Sequence, residues 1–211
     1  MNEELVSIVG SSYFDPISVL FEKLKSNYNG VDGNISSGVT VNGYACSICL
    51  LSVVCLESYV MRTRYIHKAA GNDLNRVSVV NFIRKKYSDY NLEDITNEIF
   101  VVRDLIAHNH LLKTSYRLED YGMEKIGVER VSSGDGKFSA NVNKGTETTK
   151  ILELNTNPIR IGYTDAVAVL KTAWENLIFL ENKDRNQCYV SHLHVKHQGQ
   201  HILIGKLIDQ L

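Results

Sequence analysis

The chain has 211 residues, of which 44% are hydrophobic and 22% are charged, and its formal net charge is −1. These values are ordinary for a globular protein with a substantial core, and they exclude the strong basic field that is typical of a large nucleic-acid interface. The opening MNEELVSIVG lacks the basic segment and the apolar run of a secretory signal, so we do not expect export.

The first predicted helix begins at Asp15 and Pro16, because proline is favoured at the first position of a helix. The apolar residues that follow at helical spacing are Ile17, Leu20, Phe21 and Leu24. The Gly, Asn and Ser residues of NGVDGNISSGVTVNG then predict a loop, with a short extended piece at GVTV, residues 38–41.

A long apolar helix is predicted over residues 45–70, closed by Gly71. Its first half is apolar almost all round, and its second half contains the basic run RTRYIHK. The apolar stretch meets Glu57 after about a dozen residues, whereas a membrane span needs roughly 20. We therefore expect a cytoplasmic protein that has no membrane contact.

Neither the cysteines nor the C-terminal histidines match a metal-binding pattern. Cys46 and Cys49 have the two-residue spacing of a metal or redox pair, but zinc requires four ligands and no second cysteine pair follows. We expect these thiols to pack in the core. The histidines near the C-terminus lack a carboxylate or cysteine at a definite spacing, so we expect no metal and no cofactor. They are His192, His194, His197 and His201, of which the first two share one face of a predicted strand, CYVSHLHV.

Helical periodicity predicts three further helices, over residues 78–87, 92–116 and 164–182. The last is predicted to be capped by Thr164, with Asp165 near its positive end. Turn and alternation signals between them predict a small β insertion.

The predicted fold is mainly α, a four- or five-helix bundle that forms one domain over residues 1–211. The small β insertion lies at about 122–162, and a strand-like C-terminal extension covers residues 187–211.

The predicted helix over residues 92–116 carries a polar edge in the segment RDLIAHNH. Asp104 and His108 are four residues apart and share one helical face, and the long side chain of Arg103 reaches the same place. A solvated edge more often contains Lys and Glu than Asp and two His, which have lower helix propensity. The segment is therefore either an edge that faces solvent or a site.

These residue types suit chemistry on a phosphate group. Histidine titrates near neutral pH and moves protons, and an adjacent aspartate holds its tautomer. The planar guanidinium of arginine matches phosphate oxygens and stabilises charge that grows in a transition state. No glycine-rich phosphate loop, acidic metal cluster or serine nucleophile motif competes with this set.

The segment RDLIAHNH resembles the signature of the HEPN superfamily (higher eukaryotes and prokaryotes nucleotide-binding): Arg, a polar residue, three further positions and His. Arg103, Asp104 and His108 occupy these positions. The resemblance covers roughly residues 45–182 and implies a bundle of four or five helices, with the motif on a late helix that follows a long one.

The same resemblance implies a metal-independent endoribonuclease in which the ribose 2′-hydroxyl attacks the neighbouring phosphate. Arg103 and His108 of two subunits would line one cleft of a homodimer, with Asp104 as the third residue of the site. Many members belong to toxin–antitoxin or antiphage systems, which implies an antitoxin or another defence partner. One toxin branch carries a modified Tyr two places after the motif His. Here that place holds His110, so we do not expect control by that modification.

Basic residues in and near the long helices are candidate contacts for RNA phosphates. Arg62 and Arg64 lie in the run RTRYIHK, and Lys113 follows the motif. Clustered Lys and Arg bind phosphates, but such runs also serve as solvated helix faces.

Three functional interpretations remain open. The first is the homodimeric endoribonuclease, which acts on RNA. The second is a HEPN-like module without catalysis that binds a nucleotide, an RNA or a protein partner; the complete motif counts against it and the near-neutral charge counts for it. The third is a helical scaffold in which Arg103 and Asp104 only pair with each other, so that His108 is dispensable.

Overall fold

The structure is a computed structural model that describes residues 9–30, 38–69, 77–108, 112–119, 122–130, 136–143, 145–186 and 188–211. Within this part the chain is mainly helical, which confirms the predicted fold class at that level. The α-helices are α1 (Phe14–Asn27), α2 (Val39–Ala69), α3 (Val79–Lys86), α4 (Glu93–Ala107), α5 (Gly136–Asn141), α6 (Tyr163–Lys183) and α7 (Ile204–Asp209).

The strands of the described residues form three two-stranded antiparallel sheets. They pair β1 (Leu112–Glu119) with β2 (Gly122–Arg130), β3 (Val142–Asn143) with β4 (Thr148–Thr149), and β5 (His194–His197) with β6 (Gln200–Leu203).

The centre of the fold is α2, which packs against α1, α4 and α6. Its fully buried side chains include Ile48, Val53, Leu56 and Val60. The helix begins at Val39, so the predicted loop with an extended piece at residues 38–41 is wrong there. The side-chain amide of Asn42 donates hydrogen bonds to the carbonyls of Pro158 (2.7 Å) and Ile161 (3.0 Å). These tertiary contacts hold the first turn in a segment whose composition favours a loop.

The argument that the apolar stretch of α2 is too short for a membrane span is also wrong. The stretch Val39–Ile66 is long and apolar enough to cross a bilayer by length and composition, and its 18-residue window has a mean hydropathy of 1.9 with 39% of the window buried in the fold. Glu57 does not shorten it, because α2 begins at Val39 and not at the predicted residue 45. The contacts of α2 with three other helices are those of a core helix.

The motif helix is shorter than predicted. We predicted a helix over residues 92–116, but α4 ends at Ala107 and β1 begins at Leu112. Thr114 and Tyr116 favour extended backbone, and pairing with β2 provides the hydrogen bonds that a longer helix would have supplied. The β insertion therefore starts at Leu112 and not at about residue 122.

Helix α6 agrees with the prediction except at its first turn. The predicted cap, Thr164, lies inside the helix, and Gly162 is the residue that precedes it. The Asp165 carboxylate accepts a hydrogen bond from the Gly162 N–H (2.9 Å), as in a capping box. It also accepts from the backbone N–H of Asn155 (2.8 Å), which ties the preceding loop to the helix.

The C-terminal extension is docked on α1. Two residues with positive φ, Gln198 and Gly199, make the tight turn between β5 and β6. The Lys196 N–H donates to the Asp15 carboxylate (3.0 Å), and the Ser18 hydroxyl donates to the Lys196 carbonyl (3.1 Å). His192 lies in a turn before β5, so the expectation that it shares a strand face with His194 is wrong.

A buried carboxylate on α4 fixes the segment that leads to α6. Glu98 is only 1% exposed, and its oxygens accept hydrogen bonds from three consecutive backbone N–H groups. The donors are Lys150 (3.0 Å), Ile151 (2.9 Å) and Leu152 (2.8 Å). The Glu98 carboxylate thus has a structural role. In this it differs from the motif residues on the same helix.

We expect Glu98→Ala to lower the free energy of unfolding by roughly 2–4 kcal/mol, because each partly buried N–H left without an acceptor costs ~1–3 kcal/mol. Urea unfolding measures the change. Glu175→Ala, at an exposed position of α6, is the matched control and should change stability by less than about 0.5 kcal/mol. Equal effects of the two substitutions would contradict the anchoring role of Glu98.

Candidate functional site

The three motif residues lie at the C-terminal end of α4. Arg103 and Asp104 are in its last turns, and His108 is the residue that caps the helix. The backbone N–H of His108 donates to the Asp104 carbonyl (3.0 Å), but φ −103° and ψ 5° turn the chain away from helical geometry. His108 therefore ends the helix one turn after Asp104, and its side chain is exposed.

The Arg103 guanidinium is held between two carboxylates. One terminal nitrogen lies 2.8 Å from the Glu57 carboxylate on α2, and the other lies 3.1 Å from the Asp104 carboxylate. Its central carbon stands 5.3 Å from the centre of the Phe100 ring, one turn earlier on α4. The side chain is 23% exposed, so it is oriented by the protein and still reaches solvent.

Asp104 forms an ion pair with Arg103. Its carboxylate contacts the guanidinium, and its backbone carbonyl accepts the hydrogen bond from the His108 N–H. Each charged contact of Arg103 occupies one of five N–H donors, and its buried Nε has no hydrogen-bond partner among the described residues. The second N–H of each terminal nitrogen therefore remains for an anion at this end of α4, whereas the buried Nε is out of reach.

A pocket of about 440 Å³ opens beside Arg103. Helices α2 and α4 form two of its walls, and the segment that enters α3 forms the third. The residues that line it are Glu57, Met61, Arg64, Val77, Ser78, Val79, Val80, Phe100 and Arg103. Its size falls within the ~300–1,000 Å³ of ordinary small-molecule sites.

Arg64 is the second cation of this pocket. It donates to the Val77 carbonyl (2.7 Å) and stands over the Phe82 ring, 5.1 Å from its centre. Burial lowers the pKa of this guanidinium, and the Glu57 carboxylate partly reverses the change. Arginine stays charged at neutral pH in spite of such a shift, so Arg64 is a fixed positive charge in a partly desolvated place.

Arg62, another predicted RNA contact, does not join this cluster. Arg62 lies on the same helix but is not among the residues that line the pocket. Lys113 belongs to β1, and its side chain lies outside the described residues, as does all of His110. Of the two predicted contacts whose side chains the structure describes, Arg64 lies beside the motif and Arg62 does not.

Sequence reasoning missed Glu57 as a partner of the motif arginine. We noted it as the charge that interrupts the apolar half of α2, but not as a residue of the site. A single carboxylate in an otherwise apolar helix needs a partner when it is partly buried, and this was the available signal. Its partner lies 46 residues away along the chain, so only the packing of α2 against α4 identifies it.

The cysteines and histidines do not assemble into a metal centre in the described part of the chain, where no group of three or more His, Cys, Asp or Glu side chains has suitable positions. Cys49 is fully buried and Cys46 packs partly buried against the core, as predicted. His197 contacts α1, with Nδ1 3.3 Å from the Glu22 carboxylate and 3.2 Å from the Ser18 hydroxyl. These residues serve the fold.

We compared the chain with protein-family models, with curated proteins and with solved structures, and none of the three comparisons found a match. The resemblance to the HEPN signature stays a prediction from the sequence, carried by Arg103, Asp104 and His108.

The thiols should react slowly in the folded protein. Burial, with a smaller contribution from the Asp165 charge, raises the pKa of Cys46 to about 11. We expect labelling by a disulfide reagent at pH 8 to be roughly 100-fold slower in the native chain than in urea, because the thiolate is the reacting form. The folded pKa lies above the unfolded one, so the contribution of Cys46 to stability is present below about pH 8.5 and is lost as the pH rises towards 11.

The labelling rate is measured at pH 7, 8, 9 and 10 from the absorbance of the group that the reagent releases. The variant Cys46→Ser identifies the contribution of the least buried thiol to this rate. A native thiol that reacts at pH 8 as fast as in urea would contradict the prediction.

Proposed function

We propose that this chain is a metal-independent endoribonuclease of a toxin–antitoxin or antiphage defence type, which acts as a cytoplasmic homodimer. The observation that carries the proposal is the placement of Arg103. Glu57 and Asp104 hold its guanidinium at the end of α4, just before the exposed His108. An oriented arginine and an accessible histidine at the same helix end are the minimal set for moving a proton and stabilising charge at a phosphate.

In the proposed reaction the ribose 2′-oxygen attacks the adjacent phosphorus and the 5′-oxygen of the next nucleotide leaves. The 2′-hydroxyl loses one proton and the leaving oxygen gains one, so the products are a 2′,3′-cyclic phosphate and a 5′-hydroxyl end. His108 transfers the proton, and Arg103 stabilises the negative charge on the phosphate oxygens in the transition state. Two subunits would supply one histidine for each proton transfer.

The net charge of the site favours binding of an anion only if Arg64 is counted as part of the site. Glu57 and Asp104 carry two negative charges against the single positive charge of Arg103, and Arg64 brings the formal sum to zero. A phosphate therefore has to share Arg103 with its carboxylates. Such sharing is possible because each terminal guanidinium nitrogen carries two N–H groups.

A second candidate function is a HEPN-like module that binds a nucleotide, an RNA or a protein partner without cleavage. It is favoured by one observation: the pocket is lined by Arg64 and Arg103, and His108 is not among its residues. The scaffold interpretation also has support, because Arg103 forms two ion pairs that would serve stability alone. Cleavage assays separate the three.

If His108 transfers the proton, His108→Ala should reduce RNA cleavage by on the order of 10²-fold or more while the fold is kept, since the residue is exposed. Arg103→Lys should also be severely impaired, because a point charge does not reproduce the bidentate fork. Asp104→Asn should reduce activity less. The assay is cleavage of a labelled RNA in the presence of a metal chelator.

His194→Ala, which removes an exposed histidine from β5, is the matched control and should leave cleavage unchanged. Circular dichroism confirms that each variant folds. Full activity of folded His108→Ala would exclude the enzyme and favour the binding module. Unfolding of Arg103→Lys would instead favour the scaffold.

We expect a symmetric homodimer, because two-fold pairing of one surface is the common route to an oligomer. The pocket beside Arg103 is bordered by Met61, which is 55% exposed, and Tyr65 is 52% exposed one turn further along α2. Light scattering at micromolar concentration measures the mass. A monomer that retains cleavage activity would contradict the shared cleft.

A further inference from the structure

The pocket beside the motif combines two kinds of surface. Arg64 and Arg103 supply positive charge, and Met61, Val77 and Val80 supply apolar contact. Glu57 adds one carboxylate that can accept a hydrogen bond from an amino or hydroxyl group. A ligand that fits these surfaces carries an anionic group, a flat or apolar group and at least one polar donor, which is the composition of a nucleotide.

Arg64 has a donor that no strong acceptor occupies. One terminal nitrogen donates to the Val77 carbonyl, and the partner of the other among the described residues is the Met61 thioether sulfur, at 3.8 Å. A thioether is a weak acceptor. The Phe82 ring and the Val77 carbonyl already orient the guanidinium, so an incoming phosphate would not bear the cost of ordering it.

The thioether of Met61 is placed to contact a base. This side chain is more than half exposed at the border of the pocket, and methionine sulfur makes favourable contacts with aromatic rings. A base that stacks there would leave its phosphate directed towards the two guanidinium groups.

We infer that this pocket binds the nucleotide that neighbours the cleaved phosphate of an RNA strand, with Arg64 on its phosphate and Met61 against its base. The inference rests on the proposed function, because it takes the end of α4 as the place of cleavage. Arg64 is a binding residue here and has no part in proton transfer. Its loss should therefore weaken RNA binding, while saturating RNA restores the rate of the cleavage step.

The chain provides a matched control for the charge. Arg62 belongs to the same helix, carries the same charge and does not line the pocket. Arg64→Ala and Arg62→Ala thus remove equal charge from neighbouring positions. Only the first removes a donor from the pocket.

The test uses a fluorescently labelled hexaribonucleotide with 2′-O-methyl groups on every ribose, which cannot be cleaved by 2′-hydroxyl attack. Fluorescence anisotropy gives Kd over a salt series. We expect Arg64→Ala to raise Kd about tenfold or more and to reduce the salt dependence by about one phosphate contact. Arg64→Lys should lie between wild type and Arg64→Ala, and Arg62→Ala should change Kd by less than about threefold.

A second pair of variants keeps the test decisive if Arg64→Ala unfolds. Met61→Glu places a negative charge at the border of the pocket, and Tyr65→Glu places the same charge at an equally exposed position outside it. Met61→Glu should raise Kd at least about fivefold more than Tyr65→Glu. Equal effects within either matched pair would overturn the inference, because binding would then reflect general surface charge.

The outcomes also separate this inference from the proposed function. RNA binding that depends on Arg64, in a chain that does not cleave RNA, would support the pocket and overturn the ribonuclease. Cleavage by a chain whose RNA affinity is unchanged in folded Arg64→Ala would overturn the pocket alone.

Discussion

The structure depends on the burial of α2, a 31-residue helix that is apolar on more than one side. Such a helix must be covered from several directions, and α1, α4 and α6 provide that cover. Burial of these apolar side chains supplies the main stabilisation of the fold. It also determines where the motif lies, because the helix that carries Arg103 is one of those that cover α2, and Glu57 is the one acidic residue of α2 that meets it.

Carboxylates have two distinct roles in this protein. Glu98, Asp165 and Glu181 are buried and accept hydrogen bonds from backbone N–H groups of nearby segments, so each of them attaches a loop to a helix. Glu57 and Asp104 are partly exposed and orient a guanidinium instead. The buried carboxylates accept hydrogen bonds from backbone N–H groups that would otherwise be buried without a partner. The partly exposed carboxylates keep the Arg103 charge in a defined position at the surface.

The two arginines of the pocket differ in how they are held. Arg103 is fixed by ion pairs to carboxylates, whereas Arg64 is fixed by a backbone carbonyl and an aromatic ring. An anion that approaches Arg103 competes with two carboxylates in direct contact, whereas the direct partners of Arg64 are neutral and Glu57 acts on it only at longer range. The pair would thus divide two tasks, because Arg64 suits binding of a ground-state phosphate and Arg103 suits charge that increases in a transition state.

Sequence periodicity by itself determined the helices with a clear apolar face, α1, α3 and α6, and the mainly α class, because such a face must be buried in almost any fold. It also located Arg103, Asp104 and His108 as a polar exception within an apolar segment. Tertiary structure alone decided where α2 begins, because Asn42 in its first turn bonds to residues more than a hundred positions away. It also decided where α4 ends, because the residues from Leu112 onward form hydrogen bonds with β2 instead of continuing the helix. The pocket could not be predicted from the sequence either, because Glu57, Arg64 and Arg103 meet only when α2 packs against α4. Local pattern reports which face of a helix is apolar, but it does not report which other helix that face will meet.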